Sequence, residues 1–285
     1  MITECKTLAR TPYVPADEVI RQVRARLAVG NRPDFITFSG SGEPTLHAQL
    51  GEMIAAVKHM TDIPVAILTN GSLFWDPAVR RDCAQADLVL PSLDAGDEAM
   101  FRYVNRPHAD LDFQQGIEGL VAFRREFRGP IWLEVFVLAG VTGLRAEVEK
   151  MRRHVEAIAP DRVQINTVVR PPAEDFAFRV DDQRLAELAR LLGPTAEVIS
   201  EPAAPQPIDE GTARDVDILA LLTRRPSSIE DIARGLVAGQ AEVAKCISTL
   251  LAKGMIRAVR SGKDLLFALD QPKVAWTNGR IGAKG

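Results

Sequence analysis

Residues 34–47 read DFITFSGSGEPTLH. The first seven, 34–40, are rich in aromatic and β-branched side chains and read as a strand. Gly40, Gly42 and Pro44 break it. Leu46, Leu50, Met53, Ile54 and Val57 then recur at helical spacing. A strand that closes in a glycine turn and re-enters a helix is the opening of a βα unit.

The same alternation runs outward from this stretch. Residues 64–71 (PVAILTNG), 87–94 (DLVLPSLD), 131–138 (IWLEVFVL) and 162–169 (RVQINTVV) read as strands, and 196–200 as a last short one. Between them, Phe113, Ile117, Leu120 and Val121 mark one helix, and Leu144, Val148, Met151, Val155 and Ile158 another. Leu185, Leu188 and Leu192 mark a third, closed by Gly193-Pro194. Near-continuous apolar strands imply burial on both faces, hence a parallel sheet with helices outside it and right-handed crossovers. The fold expected is α/β, a partial parallel (β/α)6-type barrel over residues 1–200. Its first confident element is a helix, residues 16–29, with Val19, Ile20, Val23 and Leu27 on one face and Gly30 as its stop, so the leading strand of the barrel is missing. Function in such folds sits at the strands' C-terminal ends. Polar residues gather there: 39–43, 69–72, Ser92, Asp94, Asn166 and Thr167.

The pattern changes at residues 201–211 (EPAAPQPIDEG), which read as a linker. Residues 212–270 then show three short helical patterns. Ile218, Leu219 and Leu222 belong to the first, Ile229, Ile232, Ala233 and Leu236 to the second, and Val243, Ile247, Leu250 and Leu251 to the third, which Gly254 ends. An alternating hairpin follows, 255–260 and then Leu265, Phe267 and Leu269. Three helices and a two-stranded wing make a winged-helix domain. Residues 271–285 read as a flexible basic tail.

Composition narrows the function. The chain of 285 residues carries a net charge of −3, against wholesale coating of nucleic acid. From residue 205 onward, however, 12 Lys+Arg face 9 Asp+Glu, leaving −6 on the remainder. No run of about 18 apolar residues occurs and the start lacks a secretory h-region, so the cytoplasm is the expected location. Cys5, Cys83 and Cys246 are too far apart in sequence for a disulfide framework or a metal motif.

The turn after the first strand is the clearest chemical feature. Two glycines let a ligand approach bare backbone, and Glu43 adds a carboxylate. Taken alone, a glycine-rich turn is a weak motif and reads first as a tight βα turn with Pro44 near a helix start. Its neighbours shift the balance. Ser41-Gly42-Glu43-Pro44 resembles the G-G-E-P motif of the radical S-adenosylmethionine superfamily, with serine in place of the first glycine. The likeness continues through residues 38–47, Leu68-Thr69-Asn70-Gly71-Ser72, Leu90-Pro91-Ser92-Leu93-Asp94-Ala95, Asn105-Arg106-Pro107-His108, and Gln164-Ile165-Asn166-Thr167 with Arg170-Pro171-Pro172. Together these resemble the iron–sulfur oxidoreductase branch related to wyosine-base (tRNA) synthases, over roughly residues 13–192.

The resemblance implies S-adenosylmethionine as cofactor, its ammonium at Gly40, Ser41, Gly42, Glu43 and Pro44. Asn70, Ser72, Ser92, Asp94 and Asn166 are then candidates for its ribose and carboxylate. It also implies a 4Fe–4S cluster and a 5′-deoxyadenosyl radical acting on RNA, a protein or a small molecule. The family's three closely spaced cluster cysteines have no counterpart here, so the chain is expected to be truncated or degenerate and cluster-free. Cys5 is a lone thiol near a terminus, and Cys83 and Cys246 read as core fillers. Glu134 is a strand carboxylate with either an interior or an active-site place. Arg170 closes the fifth strand, facing a cofactor carboxylate or a neighbouring acid. His108 sits on a loop, and His47, His59 and His154 lack ligand spacing. Tyr103, Trp75 and Trp132 read as packing residues. Lys245, Lys253, Arg257, Arg260 and Lys263 offer phosphate contacts, which leaves a second reading open: a non-catalytic, ligand-sensing regulator whose winged helix binds DNA. A metal-dependent aldolase or isomerase barrel is a third, and no His/Asp/Glu spacing supports it.

Overall fold

Aspartates set the helix starts. Asp76, Asp97, Asp112 and Asp181 each accept a backbone N–H from the first turn that follows, those of Ala78, Met100, Gln115 and Arg184. This satisfies donors that a helix otherwise leaves unpaired, about 1 kcal/mol per cap. The computed structural model describes residues 6–29, 32–40, 42–168, 176–199, 215–222, 226–236, 238–261 and 264–270. The chain divides into two units, Met1–Ile199 and Ser200–Gly285.

The first unit alternates helix and strand: α1 (Ala16–Leu27), β1 (Ile36–Phe38), a 3-10 turn (Pro44–Leu46), α2 (Leu50–Met60), β2 (Val65–Thr69), α3 (Pro77–Cys83), β3 (Leu88–Pro91), α4 (Glu98–Val104), α5 (Phe113–Glu126), β4 (Trp132–Val137), α6 (Arg145–Ile158), β5 (Arg162–Thr167), α7 (Asp182–Leu192) and β6 (Ala196–Val198). Strands β1-β2-β3 pair in parallel, as do β4-β5-β6. Parallel bridges Val89–Ile131 and Ser92–Glu134 join β3 to β4. The N–H of Leu93 donates to the Glu134 carbonyl at 2.8 Å across that seam. The strands therefore stand side by side in chain order, all parallel, and their C-terminal ends share one rim.

The expectation that the strands bury both faces holds only in part: Val65, Ala66 and Ile67 of β2 and Leu88 and Val89 of β3 are buried in succession, but β4 and β5 alternate. In β4, Leu133, Val135 and Val137 are buried while Trp132, Glu134 and Phe136 are half-buried. In β5, Val163, Ile165 and Thr167 are buried while Gln164 and Asn166 are half-buried. Leu68 of β2 is 37% exposed. The buried set faces the helices and joins one core with Ile54 and Val57 of α2, Leu120 and Phe123 of α5, and Val148, Met151 and Val155 of α6. The alternate residues of β4 and β5 are only half-buried. A parallel sheet reads as apolar on both faces only when both are covered.

Boundaries shift for local reasons. Leu46 sits in the 3-10 turn rather than in α2, because His47 leaves the helix to bridge Thr11. Helix α1 ends at Leu27, and Gly30 lies outside the described residues. Tyr103 and Trp75, expected to pack, are 51% and 39% exposed. Helices α3 and α4 have no counterpart in the periodicity, since a seven-residue helix gives barely two turns of pattern.

The second unit holds α8 (Asp215–Leu222), α9 (Ile229–Leu236), α10 (Gln240–Ala252) and an antiparallel hairpin, β7 (Ile256–Ser261) with β8 (Asp264–Leu269). Ser227 adds an antiparallel bridge to Phe267. Ile218, Ile232, Val243, Ile247, Leu250 and Phe267 form its separate core. The expected linker at 201–211 and tail at 271–285 lie outside the described residues. Among the described residues no helix is long and apolar enough to cross a membrane.

Two glycines of α5 differ sharply in surroundings. A Cβ on Gly119 would stand 2.4 Å from the backbone of Phe74 and of Trp75, whereas one on Gly116 meets nothing within 4 Å. Gly119→Ala is expected to destabilise by about 2 kcal/mol through overpacking. Gly116→Ala is expected to stabilise by about 0.5–1 kcal/mol through helix propensity. Urea unfolding of the two variants checks the contrast, and equal effects would contradict this packing.

Candidate functional site

The site is built on the end of β1. Glu43 starts the 3-10 turn, and its carboxylate accepts four hydrogen bonds. Oε1 accepts from the Thr45 N–H at 3.0 Å, the Thr45 hydroxyl at 2.6 Å and the Thr69 hydroxyl at 2.6 Å. Oε2 accepts from the Asn70 N–H at 2.7 Å. Thr69 Oγ1 in turn accepts from the Gly71 N–H at 3.1 Å. Gly71 holds φ at 73°, the left-handed region where glycine carries no steric penalty. Glu43 thus ties the mouth of β1 to that of β2, and its acceptor capacity is largely committed within the protein. Among the described residues Oε2 accepts one hydrogen bond, and Glu43 lines the cavity beside it.

That backbone is open. A Cβ on Gly42 would meet nothing within 4 Å, and one on Gly40 would come no nearer than 3.8 Å to other atoms. Both glycines line a cavity of about 950 Å³ with Glu43, Pro44, Asn70, Ser72 and Ser92. Of the sequence candidates, these seven share one cavity. Asp94 lines a small adjoining hollow together with Asn70, Ser72 and Ser92. Asn166 touches the site through Glu134, which lines the main cavity, by an Nδ2 to Oε1 contact of 3.5 Å. Ser41 and Arg170 lie outside the described residues, as does Cys5.

An extended segment before α1 forms one wall. Lys6, Thr7, Leu8 and Tyr13 line the cavity. Arg10 pins this strap, donating to the Thr45 carbonyl at 3.0 Å and the His47 carbonyl at 3.3 Å and pairing with Asp82. His47 is buried. Its Nδ1 accepts from the Gln49 N–H at 3.1 Å, so Nε2 carries the proton it donates to the Val14 carbonyl at 2.9 Å. His47 is a fastening of the strap, a role its sequence position did not disclose.

The opposite wall comes from α4 and the loop after it, including Phe101, Asn105, Arg106 and His108. Arg102 fixes that loop by donating to the carbonyls of His108 and Leu111. Asn105 Nδ2 donates to Asp94 Oδ2 at 2.8 Å, and the Phe136 N–H reaches Asp94 Oδ1 at 3.3 Å. Desolvation, with Glu134 adding like charge, outweighs these bonds and pushes the half-buried Asp94 carboxyl up to about 6. A carboxyl poised there exchanges its proton near neutral pH. Burial, with the charges of Glu43 and Asp82 adding to it, raises the Cys83 thiol far from reactivity, in keeping with a core filler. Cys246 is only partly buried.

Among the described residues no three His, Cys, Asp or Glu side chains gather as a metal-holding group. The open glycine backbone, the two serine hydroxyls and the amide of Asn70 suit a polar organic ligand instead. Of the lining residues, the strap, Leu68 and Phe101 were missed, because they converge from separate elements and share no spacing.

No family profile matches the chain. It is 34% identical over 248 residues to a protein named GTPase Obg from Brachyspira hyodysenteriae, covering 86% of this chain and 36% of that one. It is 30% identical over 198 residues to a UPF0026 protein of Methanocaldococcus jannaschii, covering 69% of this chain and 60% of the relative. The chain thus spans less than two thirds of either. Among solved structures it is similar to a radical SAM methyltransferase from Sphaerobacter thermophilus, with a TM-score of 0.51 and 21% identity over 65% of this chain and 57% of the other. That likeness is one of fold.

Glu43→Gln is expected to lower stability by about 2 kcal/mol, because the amide replaces an acceptor with a donor facing another donor. Chemical unfolding measures it, and an unchanged midpoint would remove the tie from the account. Carboxyl ¹³C NMR should show one aspartate titrating near pH 6, missing in Asp94→Asn and moved downward in Glu134→Gln. Because the folded value is raised, stability from this group is fullest at low pH and is lost as pH rises from about 4 through about 6.

Proposed function

We propose that the cavity beneath the β1 turn binds S-adenosylmethionine and that the first unit is a radical SAM-type domain. The observation that carries this is the open Gly40–Gly42 backbone sharing one cavity with Asn70, Ser72 and Ser92. The fold likeness to a radical SAM methyltransferase supports the same reading.

Each part of the ligand has a counterpart in the chain. Backbone carbonyls at the glycine turn receive the ammonium. The hydroxyls of Ser72 and Ser92 and the amide of Asn70 hold the carboxylate and ribose. Asp94, once ionised, accepts from a ribose hydroxyl, and the apolar side chains of Leu68 and Leu90 cover the adenine. Glu43 orients the turn. When bound, S-adenosylmethionine supplies a sulfonium whose carbon–sulfur bonds are its reactive point. The described residues do not form a site for a 4Fe–4S cluster, so no electron-transfer step is assigned to them. Any cluster ligands lie outside the described residues.

The domain plan is read in the same way: a partial (β/α)6-type barrel, a linker at 201–211 and a winged helix at 212–270. The order helix, single bridge at Ser227, helix, helix, hairpin supports the winged-helix reading. The name GTPase carried by one relative is not extended to this chain. It spans only 36% of that protein, and its sequence contains no G-x-x-x-x-G-K-[ST] phosphate loop.

Calorimetric titration of the full chain with S-adenosylmethionine is the test. Saturable one-to-one binding is expected, weakened at least tenfold in Gly42→Leu, whose side chain fills the open turn. No heat up to millimolar ligand, or equal binding by Gly42→Leu, would overturn the reading.

A further inference from the structure

The cavity of the first unit keeps its acids and its basic residues apart. Its acids, Glu43 and Glu134, stand on the strands and their ends, at the turn after β1 and on β4. Its basic residues stand on the walls. Lys6 lines the cavity from the strap, and Arg106 and His108 line it from the loop after α4. Lys6 and Arg106 are exposed and His108 is half-buried, which places them toward the rim. None of the three takes part in holding the ligand proposed above.

The loop holds its side chains in set positions. Asn105 closes α4, and Arg106 follows with φ at 46°, a left-handed conformation that carries a steric penalty for a residue with a Cβ. Strain of this kind gathers at ligand-holding segments. The Arg106 guanidinium lies over the Phe176 ring, 5.7 Å from its centroid, and that ring packs on Tyr103 at 4.9 Å. Arg102 ties down the His108 and Leu111 carbonyls. His108 Nδ1 accepts the Asp110 N–H at 3.2 Å, so the neutral ring carries its proton on Nε2. The Asp110 carboxylate also stands on the Nδ1 side, at 3.7 Å. Among the described residues nothing accepts from Nε2, and Lys6 has no ion-pair partner.

We infer that Lys6, Arg106 and His108 form a subsite for the phosphate of a second, small-molecule ligand, a phosphate monoester bound beside the glycine turn. Volume allows it: about 950 Å³ is at the upper end of what one drug-sized ligand occupies, roughly 300–1,000 Å³. A molecule lying against the turn therefore leaves room along the walls. A monoester is largely a dianion above about pH 6, which a lysine and an arginine match in charge. Donors that converge from opposite walls suit a tetrahedral group, whose oxygens point several ways. A planar carboxylate is better served by one guanidinium fork in its own plane. A long polyanion is disfavoured, because residues 1–204 carry a net charge of −6. That the occupant is the substrate of S-adenosylmethionine chemistry rests on the function proposed above, whereas the anion subsite itself does not.

Histidine-ring NMR of the full chain tests it. The chain has four histidines, so each ring signal can be assigned by substitution, that of His108 with His108→Gln. Methyl phosphate, added at constant ionic strength without S-adenosylmethionine, should move the His108 signals saturably in the low millimolar range. Those of His47, His59 and His154 should stay in place. Lys6→Gln and Arg106→Gln should each weaken binding at least fivefold, and an unchanged signal from the buried His47 shows that each variant is folded. Acetate and an RNA octamer without a terminal phosphate should bind at least tenfold more weakly than methyl phosphate. No saturation up to about 50 mM methyl phosphate, unaltered affinity in either variant, or acetate or the octamer binding as tightly would each overturn the subsite. With no S-adenosylmethionine in the sample, this result and the calorimetric one can fail separately.

Discussion

The geometry of the mouth depends on one carboxylate. Glu43 collects two backbone N–H groups and two hydroxyls from the ends of β1 and β2. Hydrogen bonds to an ionised acceptor are shorter and stronger than neutral ones. They hold adjacent strand ends in a fixed relation, with Thr69 passing the constraint on to the Gly71 turn. Because Glu43 takes this task, the glycines beside it are free to present backbone to the cavity. A binding surface made of main chain needs such a brace, since glycine gives the chain freedom rather than rigidity.

A second constraint is the incomplete covering of the sheet. Helices pack one face of β4 and β5, and the residues of the other are only half-buried. This turns every second residue of β4 and β5 toward a half-buried, polar row that includes Glu134, Gln164 and Asn166. The same openness sets the electrostatics. Asp94 stands where the strand ends meet α4, close enough to Glu134 to feel its charge and held by Asn105 from outside the sheet. Its raised pKa belongs to the meeting of three elements and not to any one of them.

The strap and the loop after α4 complete the walls from opposite sides. Each is fixed by an arginine that donates to backbone carbonyls, Arg10 for the strap and Arg102 for the loop. Guanidinium donors suit this work because one side chain satisfies several acceptors in a fixed fork. The cavity is therefore bounded by irregular backbone that is nevertheless well tied.

The sequence by itself determined the alternation of strand and helix, the parallel sheet, the change of pattern after residue 200 and the gathering of Gly40, Gly42, Glu43, Asn70, Ser72 and Ser92 at strand ends. Periodicity and strand-end placement are local properties, and these residues carry them in their own neighbourhoods. Only the tertiary structure decided that Glu43 ties the mouth of β1 to Thr69 and Asn70, that His47 fastens the strap and that Asp94 is poised near neutral pH. Each of these turns on which group stands opposite a side chain 26 to 42 residues away. Hydrogen bonding and desolvation depend on that distance in space, to which spacing along the chain is blind.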